Sequence, residues 1–169
     1  MKRAALALAL LAAGCGADEE PVPEASDAPA LSETAPPQVA DFPALASKDC
    51  AEVVEFYLEA LGGHEWAQAA LVWNDPAIDA ARLEAVYGGY QELQLEWPDP
   101  VVEGAAGSLY CTVSGKLTDA QDPAKPLVEG VLELKRVNDV DGATPDQLRW
   151  TLRSSTFVEN LARSGQGQP

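Results

Sequence analysis

An α+β domain, three helices followed by an antiparallel sheet, is the fold class this sequence predicts. Three observations carry that expectation. Apolar residues between Cys50 and Gly89 recur with the helical period. Those between Leu93 and Arg153 alternate with polar ones, and the stretches joining the alternating runs are rich in turn formers. Helices first and strands afterwards set one face of the sheet against the helices.

Asp49 stands as cap of the first helix, with Glu52 three residues on in the manner of a capping box. At about 100° per residue Cys50, Val54, Tyr57, Leu58 and Leu61 share one face, while Glu52, Glu55 and Glu59 cluster opposite. Gly62-Gly63 is expected to end it. Trp66, Ala69, Ala70 and Trp73 predict a second, shorter helix. Asp75-Pro76 reads as cap and first residue of a third, which stops at Gly88-Gly89. The period then changes to two. Leu93, Leu95 and Trp97 alternate with Gln94 and Glu96, and Leu109, Cys111, Val113 and Leu117 with Tyr110, Thr112, Ser114 and Lys116. Leu132 and Leu134 follow the same rule, as do Leu148, Trp150 and Leu152. DAQDPAKP and NDVDGATPD are expected as the connecting turns.

The amino terminus carries a different message. Lys2 and Arg3 precede ten apolar residues, Ala4 to Ala13, about half of the ~20 that a membrane-spanning helix needs. A short apolar run behind a basic start reads as a signal-peptide core. It ends in Ala12-Ala13-Gly14-Cys15, which resembles the lipobox of bacterial lipoproteins, although Ala12 stands where that family usually has leucine. The resemblance implies that the Cys15 sulfur takes a diacylglyceryl group and that cleavage falls between Gly14 and Cys15. Gly16, with no aspartate there, implies sorting to the outer membrane, facing the periplasm. The alternative is an ordinary secretory signal with an incidental Cys15. Several acyl chains on one cysteine hold firmly, because each buried CH₂ contributes about 0.8 kcal/mol.

Residues 1–14 are thus read as signal peptide, 15–47 as a lipidated cysteine and disordered tether, 48–160 as the folded domain and 161–169 as a disordered tail. Six of the thirteen prolines fall between Pro21 and Pro43, and the stretch from Gly16 to Ser47 carries seven acids and no periodic apolar pattern. Such a segment cannot offset its chain entropy by burial. Lys and Arg number 11 against 27 Asp and Glu, a formal charge of −16. That balance argues against nucleic acid as a partner and against a polybasic grip on anionic lipid.

The helix-then-hairpins order, opening on VVEFYLEALGGHEWAQAALVW, resembles the nuclear transport factor 2-like superfamily over about Cys50 to Phe157. The resemblance implies three N-terminal helices packed on a curved antiparallel sheet, a cone whose interior serves as the active site in the superfamily's enzymes and as a pocket in its binding modules. EGAAGSLY and VDGATPDQLRW are also similar to stretches of uncharacterised lipoproteins of this type, which bring no activity with them. In such a fold Cys50 and Cys111 lie on two elements that pack together, so the oxidising envelope permits a disulfide. Two buried free thiols are the other reading.

Candidate site residues are few. Tyr57, Trp66, Trp73, Trp97, Tyr110 and Trp150 are candidates to line the pocket, against the plainer reading that they are core. His64, the single imidazole, sits at a turn and reads as exposed rather than as a general base. Asn138 to Gly142 fails the calcium-loop pattern, and no Cys/His cluster, phosphate loop or GxSxG occurs. No catalytic residue, metal site or cofactor is expected. The expected function is a lipid-anchored envelope protein whose non-catalytic domain binds an apolar small molecule or an envelope protein. An isomerase, dehydratase or hydrolase using the same cavity is one alternative, and a homodimeric scaffold paired through the sheet is another.

Overall fold

The computed structural model describes residues 35–165. The signal peptide, Cys15 and the tether up to residue 34 lie outside them, as does the tail from 166. The folded part begins before Lys48. Two 3-10 turns, Val39–Asp41 and Pro43–Ala46, lead into the domain, and Leu45 is fully buried while the Phe42 ring packs 5.0 Å from that of Phe56. Two apolar side chains anchor this stretch without any period, so residues 35–47 of the expected tether belong to the domain.

Helix α1 (Cys50–Gly62) starts where Asp49 Oδ1 accepts the Ala51 N–H at 2.9 Å. The reciprocal half of a capping box is taken elsewhere, because the Asp49 N–H donates to Ser47 Oγ. The helix buries Cys50, Val53, Val54, Tyr57, Ala60 and Leu61. Its end differs from the expectation in one residue. Gly63 keeps a right-handed backbone, and His64 takes the left-handed turn at φ 59°. His64 N donates to Leu61 O and Glu65 N to Ala60 O, the pattern of a Schellman motif. A side chain in that region costs about 1–2 kcal/mol. It is held by the Nε2 contact to Tyr90 O (3.1 Å) and a stack on Trp66 at 5.0 Å.

Helix α2 (Trp66–Ala70) is short, and α3 (Ala80–Tyr87) begins four residues later than Pro76. Asp75 makes a local turn through its bond from Ala77 N, and Asp79 is the cap, accepting from Arg82 N at 2.8 Å. The sheet comprises β1 (Leu93–Glu96), β2 (Val101–Ala105), β3 (Ser108–Asp119), β4 (Val128–Val137) and β5 (Thr151–Ser155), all pairings antiparallel. Both β1 and β2 pair with β3, along its two halves. They act as one strand broken at residues 97–100, four residues facing three (113–115), where two prolines interrupt the ladder. The β2–β3 turn places Ala106 and Gly107 at positive φ, as tight hairpins require.

Leu148 belongs to a short helix α4 (Pro145–Leu148), not to the last strand. Thr144 and Gln147 cap it reciprocally, so NDVDGATPD is a turn plus a helix rather than a hairpin. Beyond β5 comes α5 (Thr156–Gly165), in a region the sequence pattern assigned to the domain's end and a tail. Phe157 and Val158 bury against the core, and Gly130 leaves room for the ring: a Cβ there would stand 2.6 Å from it.

Cys50 and Cys111 are joined, tying the first turn of α1 to the middle of β3 with Cα atoms 6.5 Å apart. The bond closes a loop spanning 61 positions, for which the chain-entropy model gives about 4 kcal/mol. Replacing both cysteines by alanine is therefore expected to lower the unfolding free energy by about that amount, read from the urea midpoint.

Candidate functional site

Residues paired across an antiparallel ladder share a face, which divides the sheet in two. Cys111, Val113 and Leu117 on β3, with Leu132 and Leu134 on β4, face the helices and are buried. Ser114 with Val131 and Lys116 with Glu129 therefore face away from them.

The helix-facing side is packed full. Tyr57 and Trp150 are among its largest side chains and are 1 % exposed each; Trp73 joins them at 8 %. Trp73 Nε1 donates to Tyr57 Oη at 3.3 Å, the two rings meeting edge-on, while Trp150 Nε1 donates to Lys48 O at 2.9 Å. Burial pushes the Tyr57 hydroxyl well above its ordinary pKa and that of Tyr87 up to about 12. Both stay protonated at neutral pH and serve as fixed dipoles.

The other aromatic candidates are dispersed. Trp66 stacks on His64 at the end of α1. Tyr110 lies on the outer face, with Lys135 and Arg153 over its ring at 5.6 and 5.8 Å. Trp97 sits at the break between β1 and β2 and walls a hollow of about 760 Å³. That hollow lies over the outer face. Its floor is the cross-strand pair Gly115 and Gly130, and its rim carries Trp97, Pro98, Val131 and Thr156. Lys116 and Glu129 face each other across it at 3.9 Å, both largely exposed. A Cβ on either glycine would point to the helix-facing side, toward Leu95 or the buried Phe157 ring, so the two offer the hollow only backbone as its floor. Glycine inside a strand is a legible sign of a close approach, although nothing in the sequence shows that the two are partners.

One ionisable cluster is built with care and was not legible as such. The Asp119 side chain, 0 % exposed, ends β3. Its oxygens accept from Gln91 N, Glu92 N and Gln121 N at 2.9, 3.1 and 3.2 Å and from Lys125 Nζ at 2.7 Å. Lys125 also donates to Gly89 O and sits 4.3 Å over the Tyr90 ring. Lys125, and then the three backbone N–H groups, hold the Asp119 carboxyl well below the usual carboxylate range against the opposing effect of burial. Every lone pair has a donor, so this is a clasp that binds the α3–β1 link to the β3–β4 loop. No group of three or more His, Cys, Asp or Glu placed to hold a metal occurs among the described residues.

Neither a family model nor a curated protein matches the chain. Similar solved structures include a "putative dehydratase from the NTF2-like family" from Streptomyces avermitilis, 15 % identical over 68 % of this chain and 95 % of that one, TM-score 0.45. Another is the "putative calcium/calmodulin-dependent protein kinase type II association domain" from Thiobacillus denitrificans, 15 % identical over 63 % and 90 %, TM-score 0.41. Bd1075 of Bdellovibrio bacteriovorus is 9 % identical over 62 % of this chain and 37 % of its own length, TM-score 0.43.

The clasp has a pH signature. A carboxyl whose folded pKa is depressed stabilises the fold fully above its unfolded value, near 4, and loses that contribution as pH falls. Asp119→Asn is expected to flatten the fall of the thermal midpoint between about pH 4 and pH 2 relative to the parent protein, measured by circular dichroism. An unchanged slope would show that Asp119 is not the titrating group.

Proposed function

We propose that this chain is a lipid-anchored protein of the bacterial envelope whose cone-type domain binds a partner on the outer face of its sheet. The filled helix-facing side supports this most directly. A catalytic cone needs an acid or base beside an open interior, and here the interior groups are neutral tyrosines in a close-packed core. The hollow over Gly115 and Gly130 takes the role of binding site. Its wall of Trp97, Pro98 and Val131 suits an apolar ligand or an apolar segment of an envelope protein, and its volume is that of ordinary ligand sites.

The anchor rests on Ala13-Gly14-Cys15 and on the acidic, proline-rich stretch behind it. Among the described residues no helix is long and apolar enough to cross a membrane, so attachment through Cys15 is the means of retention this reading requires.

A second copy of the chain is favoured as partner by one observation. Strand β2 is exposed along its whole length, and Val101 and Val102 are 59 and 51 % exposed beside an unpaired edge. Sedimentation of the full chain in detergent distinguishes a dimer from a monomer.

Two outcomes test the main reading. Cys15→Ser is expected to move the protein from the membrane fraction to the soluble fraction and to remove the acyl mass from the intact chain. Persistence in the membrane fraction would overturn the anchor. Trp97→Ala is expected to reduce the binding of Nile red, an apolar dye, by about tenfold while leaving the thermal midpoint within a few degrees. Equal binding by the folded variant would overturn the hollow as the site.

A further inference from the structure

A second hollow, about 460 Å³, opens where β4 and β5 meet α4, bordered by Trp73, Asn74, Lys135, Arg136, Asp146 and Arg149. Three cations and one carboxylate line it, with Asp139 paired to Arg136 beside them, a local charge of 3 − 2 = +1 in a chain whose formal charge is −16. Lysine and arginine are scarce in this protein, and their convergence here has no counterpart in the Asp119 clasp.

The arginines are oriented alike. In a guanidinium, Nε–H and the Nη2 group form one edge with two parallel donors, the fork that grips an oxyanion side-on. Arg136 bonds the protein through Nη1, which donates to Val137 O and Asp139 Oδ1, both at 3.3 Å. Arg149 also uses Nη1, donating to Leu71 O at 3.0 Å. The Nε atoms of both are buried and have no hydrogen-bond partner among the described residues. Neither Nη2 takes part in a hydrogen bond there. The Arg136 side chain is 7 % exposed and its guanidinium lies 5.5 Å from the Trp150 ring, so water has little access to its free edge. Asp146 Oδ1 stands 3.7 Å from Arg149 Nε, too far for a hydrogen bond, on a side chain 89 % exposed. Burial lowers the pKa of Arg149, with Asp146 opposing in part.

An unpaired buried donor on a charged group is costly, and two of them at one hollow is a specific arrangement. A bare ion would fill a small part of 460 Å³, and Trp73 supplies an aromatic wall beside the charges. We propose that this hollow binds the oxyanion of a small organic acid or phosphate ester, held by the cations Lys135, Arg136 and Arg149 with its carbon body against Trp73. The site is separate from the Trp97 hollow and does not depend on the reading given to it.

Titration calorimetry on the full chain in detergent micelles at low ionic strength tests this, with inorganic phosphate, phenyl phosphate and benzoate as probes. An aromatic probe is expected to bind about tenfold or more tightly than inorganic phosphate, and the better of the two tells a phosphoryl ligand from a carboxylate. Arg149→Gln is expected to weaken binding about tenfold or more. Asp146→Asn, which removes the one carboxylate of the hollow from an exposed position, is expected to tighten it severalfold. Thermal unfolding of each variant shows which remain folded, and Asp146→Asn alone decides the matter if Arg149→Gln does not. Absence of heat with all three probes, unchanged binding by folded Arg149→Gln, or weaker binding by Asp146→Asn overturns the proposal.

Discussion

The Tyr57 hydroxyl is the point on which the interior depends. It lies fully buried on α1 and accepts the Trp73 indole N–H at 3.3 Å. A polar pair thus joins the first helix to the segment after α2 inside an apolar core. Left without a partner, each of these groups would cost about 1–3 kcal/mol in such surroundings. Partnered, they require α1 and the segment after α2 to meet in one arrangement. The disulfide from Cys50 to Cys111 fixes the same helix to β3 from the other end. With both constraints in force the helix-facing side of the sheet closes on itself.

The closed interior moves the available chemistry outward. On the outer face the alternation gives Thr112, Ser114, Lys116, Glu129, Val131 and Glu133, a surface too polar to be a second core, while the Gly115–Gly130 pair between them belongs to the helix-facing alternation and offers this face only backbone. The break at residues 97–100 lifts Trp97 and Pro98 beside that pair, and the start of α5 brings Thr156, whose Oγ1 accepts from Val131 N, to its far side. The hollow is therefore a product of irregularities: a bulge with two prolines, two glycines, and a helix that begins directly at a strand end. Regular elements make the core, and their interruptions make the surface features.

This explains which parts were legible in the sequence. The α1 face and the alternation of β3 and β4 follow from period, whereas the meeting of Cys50 with Cys111 follows from which elements the resembled fold packs together, period alone leaving two free thiols equally open. Boundaries depended on competition between local signals. Asp75-Pro76 and Asp79 both offered a cap, and Asp79 won because the Asp75 side chain closes its own turn with Ala77 N. Thr144-Pro145-Asp146-Gln147 is a capping box inside a stretch whose turn-forming composition masks it. Phe157, Val158 and Leu161 carry the spacing of α5 in too few residues to stand out beside a tail rich in Gly and Gln. Leu45 and Phe42 gave no period at all, because anchoring side chains in 3-10 turns need none. The pocket-lining aromatics illustrate a deeper limit. Tryptophan spacing shows that a side chain is buried, not whether the space in front of it is empty.

Charge placement separates what is structural here from what is open. Asp119 is as buried as any ionisable group in the domain, yet three backbone N–H groups and Lys125 occupy its oxygens. Asp139, exposed on the surface, answers first Lys48 and then Arg136, and these two cations hold its carboxyl below the ordinary range. In both cases the charged group's demands are met within the chain. Arg136 and Arg149 share the burial without that closure, since each spends Nη1 on the protein and leaves the adjoining edge bare. A fold that completes the coordination of a buried carboxylate to the last lone pair, while leaving two guanidinium Nε atoms unpaired beside one hollow, distributes its donors unevenly. Stability alone gives no reason for that unevenness, whereas a site kept positive for an anion does.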